Sequence, residues 1–462
     1  MVAVILTSRQ TLAESPRAGQ RPPRPDRASG WSRLCSFPDA VAHDSASSRR
    51  GWSGVRIRAV HRYFWPDSPP YATFLKEMAS DWVSRGHEVE VVTARTSGAD
   101  GRCSRTAEGV RVSRVPVVAE GGRLPAQPAN LVVFPIGVAF RLLRGERPDV
   151  IMCSTAPQVT LGVAVSLVAR WRRAAFVYHC MDLHPEIGRL SGEFARPWVY
   201  RLLLRLDTAT MRRASRVVVL SEDMRRAVVA RDPGLGGRTT VLNNFSLGDD
   251  DGRPSPLPEP ASGRLRIVFT GNFGRFQGLA DLVACVGRLP SHVDVELVLM
   301  GEGRARAEVD RAVAALPTDR QDRVLVLPPG PPSAARALMR SAHVGVVSLA
   351  PEVARYAYPS KTATYAEQEL PLLVICEGDT ELGASTVTEG LGWSVEPGDV
   401  DGLASAVAQA FDELASGTLE GRRRQVREHF ERTFDKDRLL ERWTGLLDEL
   451  AAARRVERES RA

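Results

Sequence analysis

The sequence predicts an α/β protein of two doubly wound, Rossmann-like halves facing each other across a cleft. Three observations carry this. Short β-branched runs alternate with amphipathic helical runs from Val55 onward. The alternation stops once, in a Pro-, Gly- and acid-rich stretch at 247–263, and then restarts for a second series of similar length. Strand, helix and strand in close succession make a βαβ unit, which requires a parallel sheet.

The elements can be justified in order. Residues 1–54 read as a flexible extension: Val2 to Leu6 is followed by Arg-, Pro- and Ser-rich sequence without periodicity, and the charged start and long apolar core of a signal peptide are missing. VRIRAVHRYF is the first strand, and WPDSPPY ends it because proline cannot continue a ladder. Phe74, Leu75, Met78, Trp82 and Val83 recur at helical spacing and predict a helix over 72–85, stopped by Gly86. HEVEVVTA, VRVSRVPVV, DVIMCST, AAFVYH and RVVVLS supply further strands, with helices over 160–170 and 198–213, completing a first half over 55–246.

The stretch 247–263 is the linker. The second half, 264–425, alternates LRIVFTG, VELVLMG, RVLVLPP, VGVVSL, PLLVIC and WSVEP with helices over 279–289, 304–316, 333–341 and 361–368. Two long helices, over 401–414 and 422–450, follow no strand. The last of them, from 426, is expected to pack back toward the first half, leaving a tail at 451–462.

Composition narrows the function. Hydrophobic residues make up 43% and charged residues 25%, as in ordinary globular chains, which excludes wholesale disorder. The charge-free stretch at 124–140 contains Pro125, Pro128 and Pro135 and falls short of the roughly 20 apolar residues a spanning helix needs. A soluble or at most peripheral protein is expected. The net charge is +7, but residues 1–54 hold eight Arg against four acids and so supply +4; the remaining +3 argues against a nucleic-acid partner. Only Lys76, Lys361 and Lys436 are lysines among 62 basic residues, so each of the three is a candidate for a specific role. The six cysteines show no Cys-x-x-Cys or zinc spacing, pointing to reduced thiols, a cytoplasmic setting and no metal site.

Three clusters end strands of the second half, where ligands of open α/β sheets bind. In Tyr358-Pro359-Ser360-Lys361-Thr362-Ala363-Thr364-Tyr365, Ser360 is placed to cap a helix whose amino end, with the charge of Lys361, seats an anion. In Thr270-Gly271-Asn272-Phe273-Gly274-Arg275-Phe276-Gln277-Gly278, glycines let a phosphate approach the backbone and Arg275 can grip it. The order is not Gly-x-Gly-x-x-Gly, so no nicotinamide cofactor is indicated. The third cluster is Gly301-Glu302-Gly303. Each alone also suits an ordinary turn or capped helix; together they describe a phosphate-binding face. Asp249-Asp250-Asp251 imitates a metal-binding acid run, but no strand precedes it in the Pro-rich linker.

The succession GNFGRFQG, VLMGEG, YPSKTATY and VEPGD resembles the donor half of the family 4 glycosyltransferases of GT-B fold. The first half agrees. PDSPPYATFLKEMASDWVSRGHEVEVVT resembles that family's opening loop, helix and second strand, and MDLHPE its Asp-Leu-Trp-Pro-Glu stretch in the bacterial sugar-transferring branch, with His184 in place of Trp. The resemblance runs from about Val55 to Leu450. It implies transfer from a nucleotide diphosphate sugar, most often UDP-linked, with retention and without metal or other cofactor. By position it makes Gly271, Asn272, Gly274, Arg275, Gln277, Glu302, Gly303, Ser360, Lys361 and Thr364 donor-binding residues, and His179 and Asp182 catalytic. Ser68 and Pro69 become the acceptor-side loop.

The chain also departs from the pattern. Tyr356 and Thr364 stand where many relatives have a Glu-x7-Glu pair, and Asn272 and Gln277 where they have Arg and Lys. Two rival readings therefore stand beside transfer: a UDP-sugar 2-epimerase, and a non-catalytic scaffold that binds nucleotide or membrane. The stretches 131–144 and 198–213 mix apolar residues with Arg, as helices lying in an anionic membrane surface do; core-facing helices with solvated Arg look the same. On the membrane reading the acceptor is lipid-linked and the protein peripheral at the inner face of the plasma membrane; otherwise the acceptor is a small molecule.

Overall fold

A computed structural model describes residues 54–67, 70–95, 103–118, 126–194, 196–248, 252–274 and 277–460. Ser68, Pro69, Arg275, the Asp249–Asp251 run and the extension before Gly54 lie outside them.

The first half runs β1 (Arg56–Val60), α1 (Pro70–Ser84), β2 (Glu88–Ala94), β3 (Cys103–Arg105), β4 (Arg111–Val115), α2 (Ala126–Leu143), β5 (Val150–Ser154), α3 (Thr160–Trp171), β6 (Ala175–His179), α4 (Glu186–Leu190), α5 (Pro197–Arg213), β7 (Arg216–Val219), α6 (Glu222–Arg231) and β8 (Thr239–Val241). Its eight strands lie in the order β3-β4-β2-β1-β5-β6-β7-β8, parallel except for β3, which runs antiparallel on β4. The second half runs β9 (Leu265–Thr270), α7 (Leu279–Val286), β10 (Val295–Met300), α8 (Arg306–Ala314), α9 (Thr318–Gln321), β11 (Val324–Leu327), α10 (Pro332–Arg340), β12 (Val344–Ser348), α11 (Lys361–Glu367), β13 (Leu372–Ile375), α12 (Glu381–Thr388) and β14 (Gly392–Val395). Its six parallel strands lie in the order β11-β10-β9-β12-β13-β14. This is the GT-B architecture.

Both sheets reverse direction at their first strand: β1 lies between β2 and β5, and β9 between β10 and β12. Such a reversal opens a crevice beyond the carboxyl ends, because the connections on its two sides leave on opposite faces. Central strands are buried along their whole length, as β5, β6, β9 and β12 show, which explains their unbroken apolar runs.

The chain closes with α13 (Val400–Ser416), α14 (Leu419–Thr433) and α15 (Lys436–Glu459). The single helix expected over 422–450 is broken at Phe434. Asp435 begins a new helix by accepting from the Arg438 amide at 2.9 Å, and Phe434 is buried against Ala363, Ala366 and Val426. α14 stays on the second half, while α15 lays Leu439, Leu440, Trp443 and Leu447 into the core of the first. Four helices lacked a sequence expectation: α4, α6, α9 and α12. In α6 and α12 the caps are Ser221, accepting from Met224 N, and Thr380, accepting from Gly383 N.

Trp443 is fully buried and meets the His179 ring edge-on at 4.8 Å between centroids. Trp443→Ala should lower unfolding stability by about 3–5 kcal/mol, read as a fall in the urea midpoint; a loss under about 1 kcal/mol would mean that α15 is only loosely attached.

Candidate functional site

The carboxyl ends of β9 and β10 meet backbone to backbone. Gly271 donates to the Met300 carbonyl and Phe273 to the Glu302 carbonyl, each at 2.9 Å. A Cβ on Gly301 would fall on the Gly271 carbonyl oxygen, and one on Gly303 on the Phe273 carbonyl, so neither loop accommodates a side chain there. Gly271 itself sits at φ +118°, in the region that favours glycine.

Lys361 fills the space these glycines leave. Its Nζ lies 3.5 Å from the centre of the Phe269 ring, and a Cβ at Gly271 would come within 3.0 Å of its Cε. No carboxylate among the described residues pairs with it. Burial without a counter-ion pushes its pKa down to about 7. Four residues on, the Tyr365 hydroxyl accepts from the Thr270 amide at 3.0 Å, clamping α11 to the end of β9. The amine is therefore held in place before any ligand arrives.

Ser360 departs from expectation. It takes a helical conformation and its side chain caps nothing, so its hydroxyl is left exposed at the start of α11. Thr364 lies half-buried on the same helix. Asn272 leans over Gly303, Gln277 has its Oε1 buried without a partner among the described residues, and exposed Glu302 reaches Arg306 at 3.5 Å. Gly274 follows Phe273 on the same loop. The β9 and β10 loops and α11 thus bring Gly271, Asn272, Gly274, Gly303 and Lys361 to one face.

Across the cleft, the loop after β6 docks on the second half. Asp182 forms an isolated bridge with Ala357, and Leu183 donates to the Tyr356 carbonyl at 2.8 Å. Asp182 is buried, which raises its carboxyl pKa.

His179 does not stand in the cleft as a free polar partner of Asp182. It is fully buried at the end of β6, with Nδ1 2.9 Å from the Tyr71 hydroxyl and its ring against Trp443, and burial holds its pKa at about 3. The reason is tertiary: α15 covers this end of the sheet. His61, which the sequence reading passed over, belongs to the same group. It hydrogen-bonds Ser154 and packs on Tyr71 at 4.3 Å. His184 is likewise buried and neutral, its carbonyl accepting from Arg231, which also pairs with Glu186 and Asp207.

Among the described residues no group of three or more His, Cys, Asp or Glu could hold a metal ion. No helix there is long and apolar enough to cross a membrane.

A glycosyl transferase 4-like domain model matches residues 71–244, and the model for glycosyl transferases group 1 matches residues 264–413. No curated protein sequence matches the chain. Among solved structures, it is similar to a sucrose-phosphate synthase from Thermosynechococcus elongatus, at TM-score 0.64 and 17% identity over 86% of this chain and 100% of that one. It is also similar to HepE of Anabaena in complex with UDP, at TM-score 0.60 and 16% identity over 85% and 100%. An Escherichia coli structure described as trehalose-6-phosphate bound with UDP-2-fluoro glucose aligns at TM-score 0.62 and 14% identity over 85% and 99%.

The state of Lys361 is testable without a ligand. Its folded pKa, about 7, lies below the 10.5 of the free side chain. Between those values the unfolded chain binds more protons, so this group makes stability rise with pH across about 7 to 10.5. Lys361→Met should flatten the rise in urea midpoint between pH 7 and 9. An unchanged slope would show that the lysine is charged and solvated.

Proposed function

The chain belongs to the GT-B glycosyltransferases, and from that premise we propose that it moves a sugar from a nucleotide diphosphate sugar, UDP-linked, to an acceptor hydroxyl, with retention and without a metal. The observation that carries this is Lys361: a basic group with no counter-ion among the described residues, against the end of a central strand, beside loops with room only for glycine. Expelling a nucleoside diphosphate concentrates negative charge on the leaving oxygens, and a preorganised cation in a poorly hydrated site stabilises that charge more than water does. Gly271, Gly274 and Gly303 then admit the diphosphate to the backbone, Ser360 donates to it, and Arg275 adds the second charge. Asn272, Gln277, Glu302 and Thr364 line the nucleoside and sugar. The UDP in the HepE structure and the UDP-2-fluoro glucose in the E. coli structure support a uridine donor.

On the acceptor side, Asp182 orients the incoming hydroxyl or the sugar, and Ser68 and Pro69 are the acceptor-side candidates by sequence. His179 serves as a positioning residue: with Tyr71 and Trp443 it supports the β6 end from which the Asp182 loop departs. The acceptor is lipid-linked or a small molecule. The scaffold reading rests on the sequence: Tyr356 stands at the place of a family carboxylate.

Calorimetry of the full chain with UDP, GDP and dTDP tests the donor site. Saturable binding of UDP is expected, indifferent to EDTA and weakened about 10- to 100-fold in Lys361→Ala, the loss of one or two charge-assisted contacts. An unchanged dissociation constant in that variant would remove the phosphate-site assignment. Incubation with UDP-sugars then sorts the readings: transfer needs an acceptor, isomerised sugar without acceptor identifies an epimerase, and binding without turnover identifies the scaffold.

A further inference from the structure

Helices α2, α3 and α5 lead into β5, β6 and β7, crossing the first sheet in one direction, so right-handed connections set them side by side on one face. α3 packs against both of the others. Their inner stripes fill the core, as Phe134 and Val138 do on α2. Their outer stripes are apolar as well. Thirteen large hydrophobics are exposed among the described residues, and ten of them lie here: five on α2, two on α3 and three on α5. Ile136, Trp171 and Trp198 are 63%, 68% and 62% exposed. So dense a cluster is an interaction surface, because scattered single residues are what a solvated face normally shows.

Charge selects the occupant. The three helices carry a single acid, Asp207, which is buried and bonded to Tyr178 and Arg231. Arg170, Arg201 and Arg205 are exposed among the apolar residues and pair with no carboxylate among the described residues. A second copy docked about a two-fold axis would set this Arg-bearing face against itself with no exposed acid on these helices to answer it. The chain's own residues 1–54, at +4, repel it too. An anionic bilayer meets both demands, since aromatic and aliphatic side chains enter the headgroup boundary while guanidinium groups engage phosphates.

We propose that the α2–α3–α5 face seats on an anionic lipid bilayer, with Ile136, Phe140, Trp171, Trp198 and Leu202 inserted and Arg170, Arg201 and Arg205 on the headgroups. The chain lies on the membrane without spanning it. α5 starts on the carboxyl side of the sheet, so Trp198 brings the bilayer edge beside the cleft, where a lipid-linked acceptor can enter. That last consequence rests on the transferase reading; the docking does not.

Co-flotation of the full chain with phosphatidylglycerol or phosphatidylcholine vesicles, at about 0.15 M salt, tests it. Binding to phosphatidylglycerol is expected, weakened at least about tenfold by Trp171→Ser with Trp198→Ser, and stripped of its lipid preference by Arg201→Glu with Arg205→Glu. Circular dichroism and UDP calorimetry on the same variants should be unchanged. Flotation without UDP binding would leave the docking standing and remove the donor reading. No flotation, or equal flotation of every variant, would overturn the docking. A dimer dissociated by the tryptophan variants would assign the face to a second copy instead.

Discussion

The site depends on one close approach: the loops after β9 and β10 touch main chain to main chain. That contact is possible because Gly271 and Gly301 lack side chains, and it leaves a gap beside Phe269 that the stem of Lys361 occupies. A lysine placed there loses water without gaining a carboxylate among the described residues, and burial lowers its pKa. The Tyr365–Thr270 hydrogen bond prevents relief by movement, because it ties the helix bearing the lysine to the strand bearing the ring. An arriving anion recovers the desolvation cost without reorganising its host, which is the general advantage of a preorganised site.

The two halves are joined at several points around this gap. At the hinge, Arg336 pairs with Glu367 and donates to the Leu247 carbonyl, while Ser246 donates to Glu367 at 2.8 Å. On the far side two helix starts cap each other across the cleft: Glu381 N donates to Asp223 at 2.7 Å, and Glu222 N to Glu381 at 2.5 Å. Between them, the Asp182 loop lies on Tyr356 and Ala357. The first amides of α6 and α12 have no intrahelical partner, so the joint between these helices satisfies groups that would otherwise turn to water. Tyr356 thus connects the halves at a position where a carboxylate would carry charge.

Legibility followed the range of the physics. Parallel strands buried on both faces leave continuous apolar runs, so both sheets could be read directly from the chain. Lys361 was legible because lysine is scarce here. The break at Phe434 was not: residues on both sides favour helix, and only burial of Phe434 against α11 and α14 shows that the chain turns. His179 was misread for a related reason. Its position at a strand end suggests a cleft, but the ring that covers it, Trp443, lies on α15, 264 residues further along the chain. Short helices such as α6 were obscured by alanine, valine and arginine in a pattern too brief for a period to emerge.

The covering of the first sheet also explains why its other face is informative. α1 and α15 close one side, and Trp443 and Leu447 complete that core from the end of the chain. On the opposite side α2, α3 and α5 already bury an inner stripe each. Phe134 and Ile136 are two residues apart, about 200° around the helix, so one faces the sheet while the other cannot. The outer apolar stripe is therefore not surplus core brought to the surface by helical geometry. It adds little to the packing of this half. Its recurrence on three helices distant in sequence but adjacent in space, with arginines and no exposed acid among them, is what the proposed seat on an anionic bilayer accounts for.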